Sequence, residues 1–177
     1  PPRCRSRIEC AKLGPYQPVK MAINVSVRQL GDGRFHQKLE RVLSETGLDP
    51  CNLEIELTES KVMDNPKAVV AELDMIRQLG IDLAVDDFGT GHSSLSYLQR
   101  LPIKTLKIDQ SFVAGIGTNR DSEEIVKTII AMGHNLGLQL IAEGVETAQQ
   151  AAYLLKQKCD LMQGYLGLTQ ITTIDFV

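Results

Sequence analysis

Polar side chains that can bind cations or stabilise phosphate charge recur along this chain, each close to the end of a short apolar run. They are Asn24, Glu56, Asp86, Asp87, Lys107, Glu143 and Gln163. Burying a carboxylate without a partner is unfavourable because the anion loses its hydration. A divalent cation would offset that penalty, and oxygen donors from Asp, Glu and Asn suit Mg²⁺ or Mn²⁺ better than zinc. The set therefore predicts a metal site, with solvated acids at the starts of loops as the alternative.

Two features sharpen this prediction. The adjacent acids Asp86 and Asp87 resemble the sites in which one carboxylate is shared between two ions about 4 Å apart; a pair that merely begins a turn is the alternative. Lys107 is flanked by apolar residues, so its ammonium should point to the polar side of a strand, where it could orient water or stabilise phosphate charge. An ion pair with the loop at Asp109 is the alternative for this lysine.

The elements that must position these residues can be read from the hydrophobic pattern. Six short apolar runs have the length and composition of β-strands: VKMAINVS, NLEIELTES, DLAVDDFG, TLKID, LQLIAEGVE and DLMQGY. Amphipathic helical patterns lie between them, and one of these ends before Gly47. Thr147 with Gln150 resembles a capping box at a helix start, and a second candidate begins at Asp121 with Glu124. The alternation predicts an α/β fold with parallel strands.

The positions of the polar residues select the type of α/β fold. No GxGxxG motif follows an opening strand, which argues against a dinucleotide-binding open sheet. Polar residues at strand ends are instead typical of the active-site face of a (β/α) barrel. Glu54 and Glu56 should share the inward side of their strand, because alternate residues point to the same face. A complete barrel has eight strands in about 250 residues, so six strands predict an incomplete, modified (β/α)8 TIM-type barrel.

Composition limits the other classes of function. The chain has 177 residues, 43% of them hydrophobic, which is enough for one domain with a sizeable core. Residues 1–18 differ in composition and form an N-terminal segment that we assign to no element, and residues 19–177 are predicted to form the barrel domain. A net charge of -3 argues against a long nucleic-acid partner. No apolar stretch is long enough to cross a membrane and no secretory signal is recognisable, so we expect a cytoplasmic protein.

Six motifs together resemble the EAL family. They are NVS at Asn24, ELTES from Glu56, DDFGTGHSSL from Asp86, LKID at Lys107, AEGVET from Glu143 and QGY at Gln163. The resemblance runs from about Met21 to Tyr165, and the motifs have the order and spacing of the family. It implies a modified eight-stranded (β/α) barrel that hydrolyses one phosphodiester of cyclic di-GMP to give linear pGpG. It also implies two Mg²⁺ or Mn²⁺ ions as cofactors.

The resemblance further implies roles for individual residues. The metal ligands would be Asn24, Glu56, Asp86, Asp87 and Glu143. Asp86 would bridge the two ions and activate the attacking water, Lys107 would position that water, and Glu143 would act with them in catalysis. Support for the loop after the aspartate pair, and for the metal and substrate region, would come from Glu59, Glu146 and Gln163.

Departures from the family pattern lead to further expectations. The Glu-Ala-Leu motif, with its metal-ligating Glu and a neighbouring Arg, is expected upstream of Asn24 and is absent, so we expect impaired activity in this chain. The alternatives are a non-catalytic receptor for cyclic di-GMP and a dimerising interaction domain. The resemblance also leads us to expect a homodimer, and it is compatible with an upstream sensory or GGDEF-type domain.

Overall fold

Six parallel strands form one sheet in the order in which they occur along the chain. They are β1 (Met21–Asn24), β2 (Leu53–Thr58), β3 (Asp82–Phe88), β4 (Thr105–Ile108), β5 (Gln139–Ala142) and β6 (Leu161–Met162). The computed structural model describes residues 20–31, 33–58, 66–90, 95–166 and 169–171. Within these ranges β1 pairs only with β2 and β6 only with β5, so the sheet is the curled, open part of a barrel. The six predicted strands and the incomplete TIM-type barrel are confirmed, whereas the predicted segment 1–18 lies outside the described residues.

Helices connect the successive strands, as a parallel sheet requires. They are α1 (Val27–Leu30), α2 (Phe35–Thr46), α3 (Pro66–Gln78), α4 (Leu95–Leu98), α5 (Gln110–Ala114), α6 (Arg120–Asn135) and α7 (Ala148–Lys156). The predicted end of α2 is confirmed, because Gly47 has a φ of 69° and its N–H donates to the carbonyl of Leu43. Glycine adopts this left-handed conformation without the steric penalty of a side chain.

One of the two predicted capping boxes is confirmed. At the start of α7, the Thr147 side chain accepts from the Gln150 N–H, and the Gln150 side chain accepts from the Thr147 N–H. The prediction for Asp121 is wrong, because the N-cap of α6 is Asn119, whose side chain accepts from the Asp121 N–H. Asp121 therefore lies in the first turn of α6, where a negative charge interacts favourably with the helix dipole.

The two faces of β2 show how the core and the barrel interior separate. Leu53, Ile55 and Leu57 are buried in the apolar cluster that the helices cover. Glu54 and Glu56 alternate with them and are also buried, which confirms the predicted inward pair. Each therefore needs a partner inside the barrel. Glu54 has one at the amino ends of the strands, where Lys20 Nζ lies 2.7 Å from Glu54 Oε2.

A short hairpin follows the sheet and was not predicted. Strand β7 (Gly164–Leu166) pairs antiparallel with β8 (Thr169–Ile171). Three-residue strands are too short for the alternating pattern to be recognised in sequence. Gly164 also lies directly against the backbone of Val145, which leaves no space for a side chain at this position. Among the described residues, no helix combines the length and the apolar character needed to span a bilayer.

Candidate active site

Parallel strands bring the predicted residues to one edge of the sheet. Asn24 is the last residue of β1 and aligns with Glu56 of β2. Asp86 lies in β3, Lys107 is the penultimate residue of β4, and Glu143 follows β5 directly. Because every strand runs in the same direction, these positions share the carboxyl end of the barrel, which is where barrel enzymes place their catalytic groups.

Lys107 occupies the centre of this edge. Its Nζ lies 2.9 Å from Glu56 Oε1 and 3.3 Å from Asp86 Oδ1. Glu143 Oε1 is closer still, at 2.5 Å. Only 5% of Lys107 is exposed to solvent. The alternative of an ion pair with Asp109 is wrong, because the ammonium points into the barrel towards the three carboxylates.

These neighbours determine the charge of Lys107. Burial alone lowers the pKa of Lys107, but hydrogen bonds and charge interactions with Glu143, Glu56 and Asp86 outweigh it, and the net pKa is well above the ordinary range. Lys107 is therefore a permanent cation at neutral pH. It can stabilise negative charge or orient a hydrogen-bond acceptor, but it is not a general base.

A β-bulge turns two consecutive aspartates towards the same region. In a regular strand, the side chains of Asp86 and Asp87 would point to opposite faces. The register of β3 with β4 instead shifts between Val85 and Phe88, and Asp87 has a φ of 54°. The Asp87 N–H donates to Asp86 Oδ1 at 3.1 Å, and the Thr90 hydroxyl donates to the Asp87 carbonyl at 2.9 Å. A left-handed conformation at a residue other than glycine is unfavourable, and such strain is concentrated at functional sites.

The bulge completes an acidic cluster. Oxygens of Asp86, Asp87 and Glu143 all lie within 4.8 Å of one another. Burial raises the pKa of Asp87, and the negative charges of Asp86 and Asp109 raise it further. Burial likewise raises the pKa of Glu143; Lys107 opposes this effect, and the charges of Asp86 and Glu56 add to it. A divalent cation would relieve this repulsion, and carboxylate oxygens are the donors that hard divalent ions prefer.

Three further predicted residues, Asn24, Glu146 and Gln163, lie at the same edge but outside this cluster. Asn24 is exposed at the end of β1. Glu146 is exposed before α7, and its N–H donates to Gln150 Oε1 at 2.8 Å. Gln163 follows β6 and is exposed, and its N–H donates to the Ala142 carbonyl at 2.9 Å. Glu59 lies outside the described residues.

Asp109 also acts on this site, although the sequence motifs indicated it only as an alternative ion-pair partner of Lys107. Its charge acts on the carboxyl group of Asp87, and its side chain accepts from the Ser111 N–H at 2.8 Å as the N-cap of α5. Its position two residues after Lys107, directly beyond the end of β4, was the sequence feature that could have identified it as a site residue.

Comparison with known proteins identifies the family. The sequence model of the EAL domain family matches residues 6–168 of this chain. The chain is a member of the EAL domain family. The resemblance of the six motifs to this family is thereby confirmed.

Relatives and solved structures agree with this assignment. The cyclic di-GMP phosphodiesterase NbdA of Pseudomonas aeruginosa is 41% identical over 163 residues, which are 92% of this chain and 21% of NbdA. The structure of the PaMucR phosphodiesterase in complex with c-di-GMP superposes with a TM-score of 0.82 at 34% identity, covering 94% of this chain and 67% of that one. A manganese and cyclic di-GMP complex of Klebsiella pneumoniae BlrP1 superposes with a TM-score of 0.78 at 31% identity, covering 88% of this chain and 41% of the BlrP1 chain. The chain thus spans about a fifth of the length of NbdA.

Proposed function

We propose that this EAL domain binds cyclic di-GMP and hydrolyses one of its phosphodiester bonds to give linear pGpG, with two Mg²⁺ or Mn²⁺ ions. The observation that carries the proposal is the convergence of Asp86, Asp87 and Glu143 beside the Lys107 ammonium. NbdA is described as a phosphodiesterase of cyclic di-GMP, and PaMucR and BlrP1 bind this dinucleotide in their structures. The same edge of this chain offers the acids and the cation that such a reaction requires.

The donor set fits divalent cations. Asp86, Asp87 and Glu143 would hold them, with Glu56 and the Asn24 amide on the two neighbouring strands as further ligands. When bound, such ions polarise phosphate oxygens and lower the pKa of coordinated water. The raised pKa values of Asp87 and Glu143 support the fit, because burial and, to a smaller extent, neighbouring carboxylates disfavour their charged forms, which a bound cation would stabilise.

The residues of the chain itself supply binding and orientation. Lys107 is held between the carboxylates of Glu56 and Glu143, so its charge is placed before substrate arrives. A fixed cation at this position stabilises the charge that develops on a phosphate group without reorganisation. Glu143 contacts the same ammonium, and we propose it as a further catalytic group beside Lys107 and Asp86.

Other parts of the proposal extend beyond the acidic cluster. We propose that Glu146 and Gln163, at the same edge, contact the substrate region and that Glu59 supports the loop after Asp87. We also propose a cytoplasmic homodimer, an arrangement that is compatible with an upstream sensory or GGDEF-type domain.

Nucleotide analysis tests the proposed reaction. The protein should convert cyclic di-GMP to pGpG with Mg²⁺ or Mn²⁺, and EDTA should stop the conversion. Chromatography of the products measures both. Tight binding of cyclic di-GMP without pGpG formation in the presence of metal would instead establish a receptor. The absence of both binding and turnover would refute the proposal.

A further inference from the structure

The short helix α5 is joined directly to the strand that carries Lys107. Strand β4 ends at Ile108, Asp109 is the N-cap, and α5 begins at Gln110. The Asp109 side chain accepts from the Ser111 N–H at 2.8 Å, which satisfies one N–H of the first turn. The position of α5 relative to the Lys107 ammonium is therefore determined by a few residues of continuous, hydrogen-bonded backbone.

One side of α5 packs against the loop that follows the aspartate pair. A methyl group added at Gly89 would lie 2.7 Å from Phe112 Cε2 and 3.2 Å from Ile129 Cδ1 of α6. These distances are shorter than van der Waals contact, so the Phe112 ring lies directly against the Gly89 backbone. Gly89 is two residues beyond Asp87 and has a φ of 104°. The backbone that leaves the bulge thus rests on the Phe112 ring.

The same helix also packs against the loop that carries Glu143. A methyl group added at Gly144 would lie 2.7 Å from Gln110 Cβ. Gly144 follows Glu143 directly, and the Glu143 N–H donates to the Ile108 carbonyl at 3.2 Å. Helix α5 therefore contacts the backbone that follows Asp87 and the backbone that follows Glu143, next to both segments that supply carboxylates to the acidic cluster.

We propose that Phe112 is a positioning residue: together with Gln110, it sets the separation between the Asp86–Asp87 pair and Glu143, and so the affinity of this edge for divalent cations. The inference rests on the proposed function, because that function requires the cluster to hold metal. Phe112 touches neither metal nor substrate in this scheme. It acts by supporting Gly89, and Gln110 acts by supporting Gly144.

Mn²⁺ binding tests the role of Phe112. Phe112→Ala removes the ring below Gly89 and should weaken Mn²⁺ binding by about tenfold or more, as is typical of residues that support metal ligands. Phe112→Leu keeps a branched apolar side chain and should weaken Mn²⁺ binding less than Phe112→Ala does. Val126→Ala is the matched control, because Val126 is fully buried in α6 and the substitution also removes core volume. It should lower the unfolding temperature while leaving Mn²⁺ affinity within about twofold of the unmodified chain.

The readouts are electron paramagnetic resonance of free Mn²⁺, which measures Mn²⁺ affinity, and thermal unfolding in EDTA, which measures stability. A double-mutant cycle with Gly89→Ala isolates the contact, because the strain of alanine at this φ is common to both backgrounds. We expect the Gly89→Ala loss in Mn²⁺ affinity to be smaller when Phe112 is alanine. Equal affinities for Phe112→Ala and Val126→Ala, or additive effects in the cycle, would overturn the positioning role alone. Absence of Mn²⁺ binding by the unmodified chain would overturn the proposed function together with it.

Discussion

Lys107 Nζ lies 2.9 Å from Glu56 Oε1, although their strands β4 and β2 are separated in the sheet by β3. Strands two positions apart lie roughly 10 Å from each other, and the long side chains of Lys107 and Glu56 span this gap across β3 inside the barrel. It also places a buried cation where carboxylates from three strands converge. Among the described residues, that ammonium is the cation paired with these three carboxylates.

Replacing Lys107 with methionine should therefore affect stability as well as activity. The substitution leaves three carboxylates close together without their counter-charge, and breaking a buried ion pair from one side costs about 3–5 kcal/mol. We expect a large loss of unfolding free energy in EDTA, partly restored by Mn²⁺, and little pGpG formation with metal. Lys104→Met is the matched control, because the Lys104 ion pair with Asp82 is largely exposed and is worth less than about 1 kcal/mol. Equal destabilisation by the two substitutions would contradict the central role of Lys107.

Asp86 and Asp82 offer a comparison within one strand. Both lie in β3, but Asp86 is at the acidic edge and Asp82 begins the strand at the opposite end. Asp86→Asn should lower the rate of pGpG formation by more than about 100-fold, because even groups that only support a metal ligand are worth about 10- to 100-fold. Asp82→Asn should change the rate little. Comparable rate losses would show that the chemistry is not confined to the carboxyl ends of the strands.

Asp82 should nevertheless contribute to stability in a pH-dependent way. Burial raises the pKa of Asp82, but hydrogen bonds from Lys104 and Lys20 outweigh it, and the net pKa lies below the ordinary value of 3.8. A group with a lowered pKa in the folded state stabilises the fold above its unfolded pKa, and this contribution is lost as the pH falls through the folded value. We expect Asp82→Asn to reduce the free energy of unfolding by about 1 kcal/mol at neutral pH. Urea unfolding at a series of pH values should show this difference shrinking below about pH 4, and a constant difference would contradict the assignment.

The identity of the metal should separate binding from catalysis. Ca²⁺ has a larger and looser coordination shell than Mg²⁺ or Mn²⁺. A calcium complex of BlrP1 with the same dinucleotide has been solved. We expect this chain to bind cyclic di-GMP with Ca²⁺ but to form pGpG only with Mg²⁺ or Mn²⁺. Calorimetry measures the binding and chromatography the product, and equal rates with Ca²⁺ would refute the two-metal assignment.

Much of this arrangement follows from local sequence patterns. The six strands were recognisable because apolar runs of strand length end in polar residues, and the inward direction of Glu54 and Glu56 follows from the two-residue period of a strand. The Thr147–Gln150 capping box was recognisable because both partners lie within one helical turn. The Asp121 prediction failed because several polar residues near a helix start can each serve as the cap, and the backbone conformation at Asn119 decides between them.

The sequence by itself determined which residues reach the carboxyl ends of the strands, because strand period and parallel pairing are set by local hydrophobic order. Only the tertiary structure decided that Asp87 joins Asp86 at the same site, since this depends on a register shift between β3 and β4. It also decided that Lys107 faces Glu56 and Glu143 rather than Asp109, because the order of the strands in the sheet determines which side chains lie within its reach. The contacts of Phe112 with Gly89 and of Gln110 with Gly144 have the same origin. They join backbone segments that are distant in sequence, and no local pattern encodes their approach.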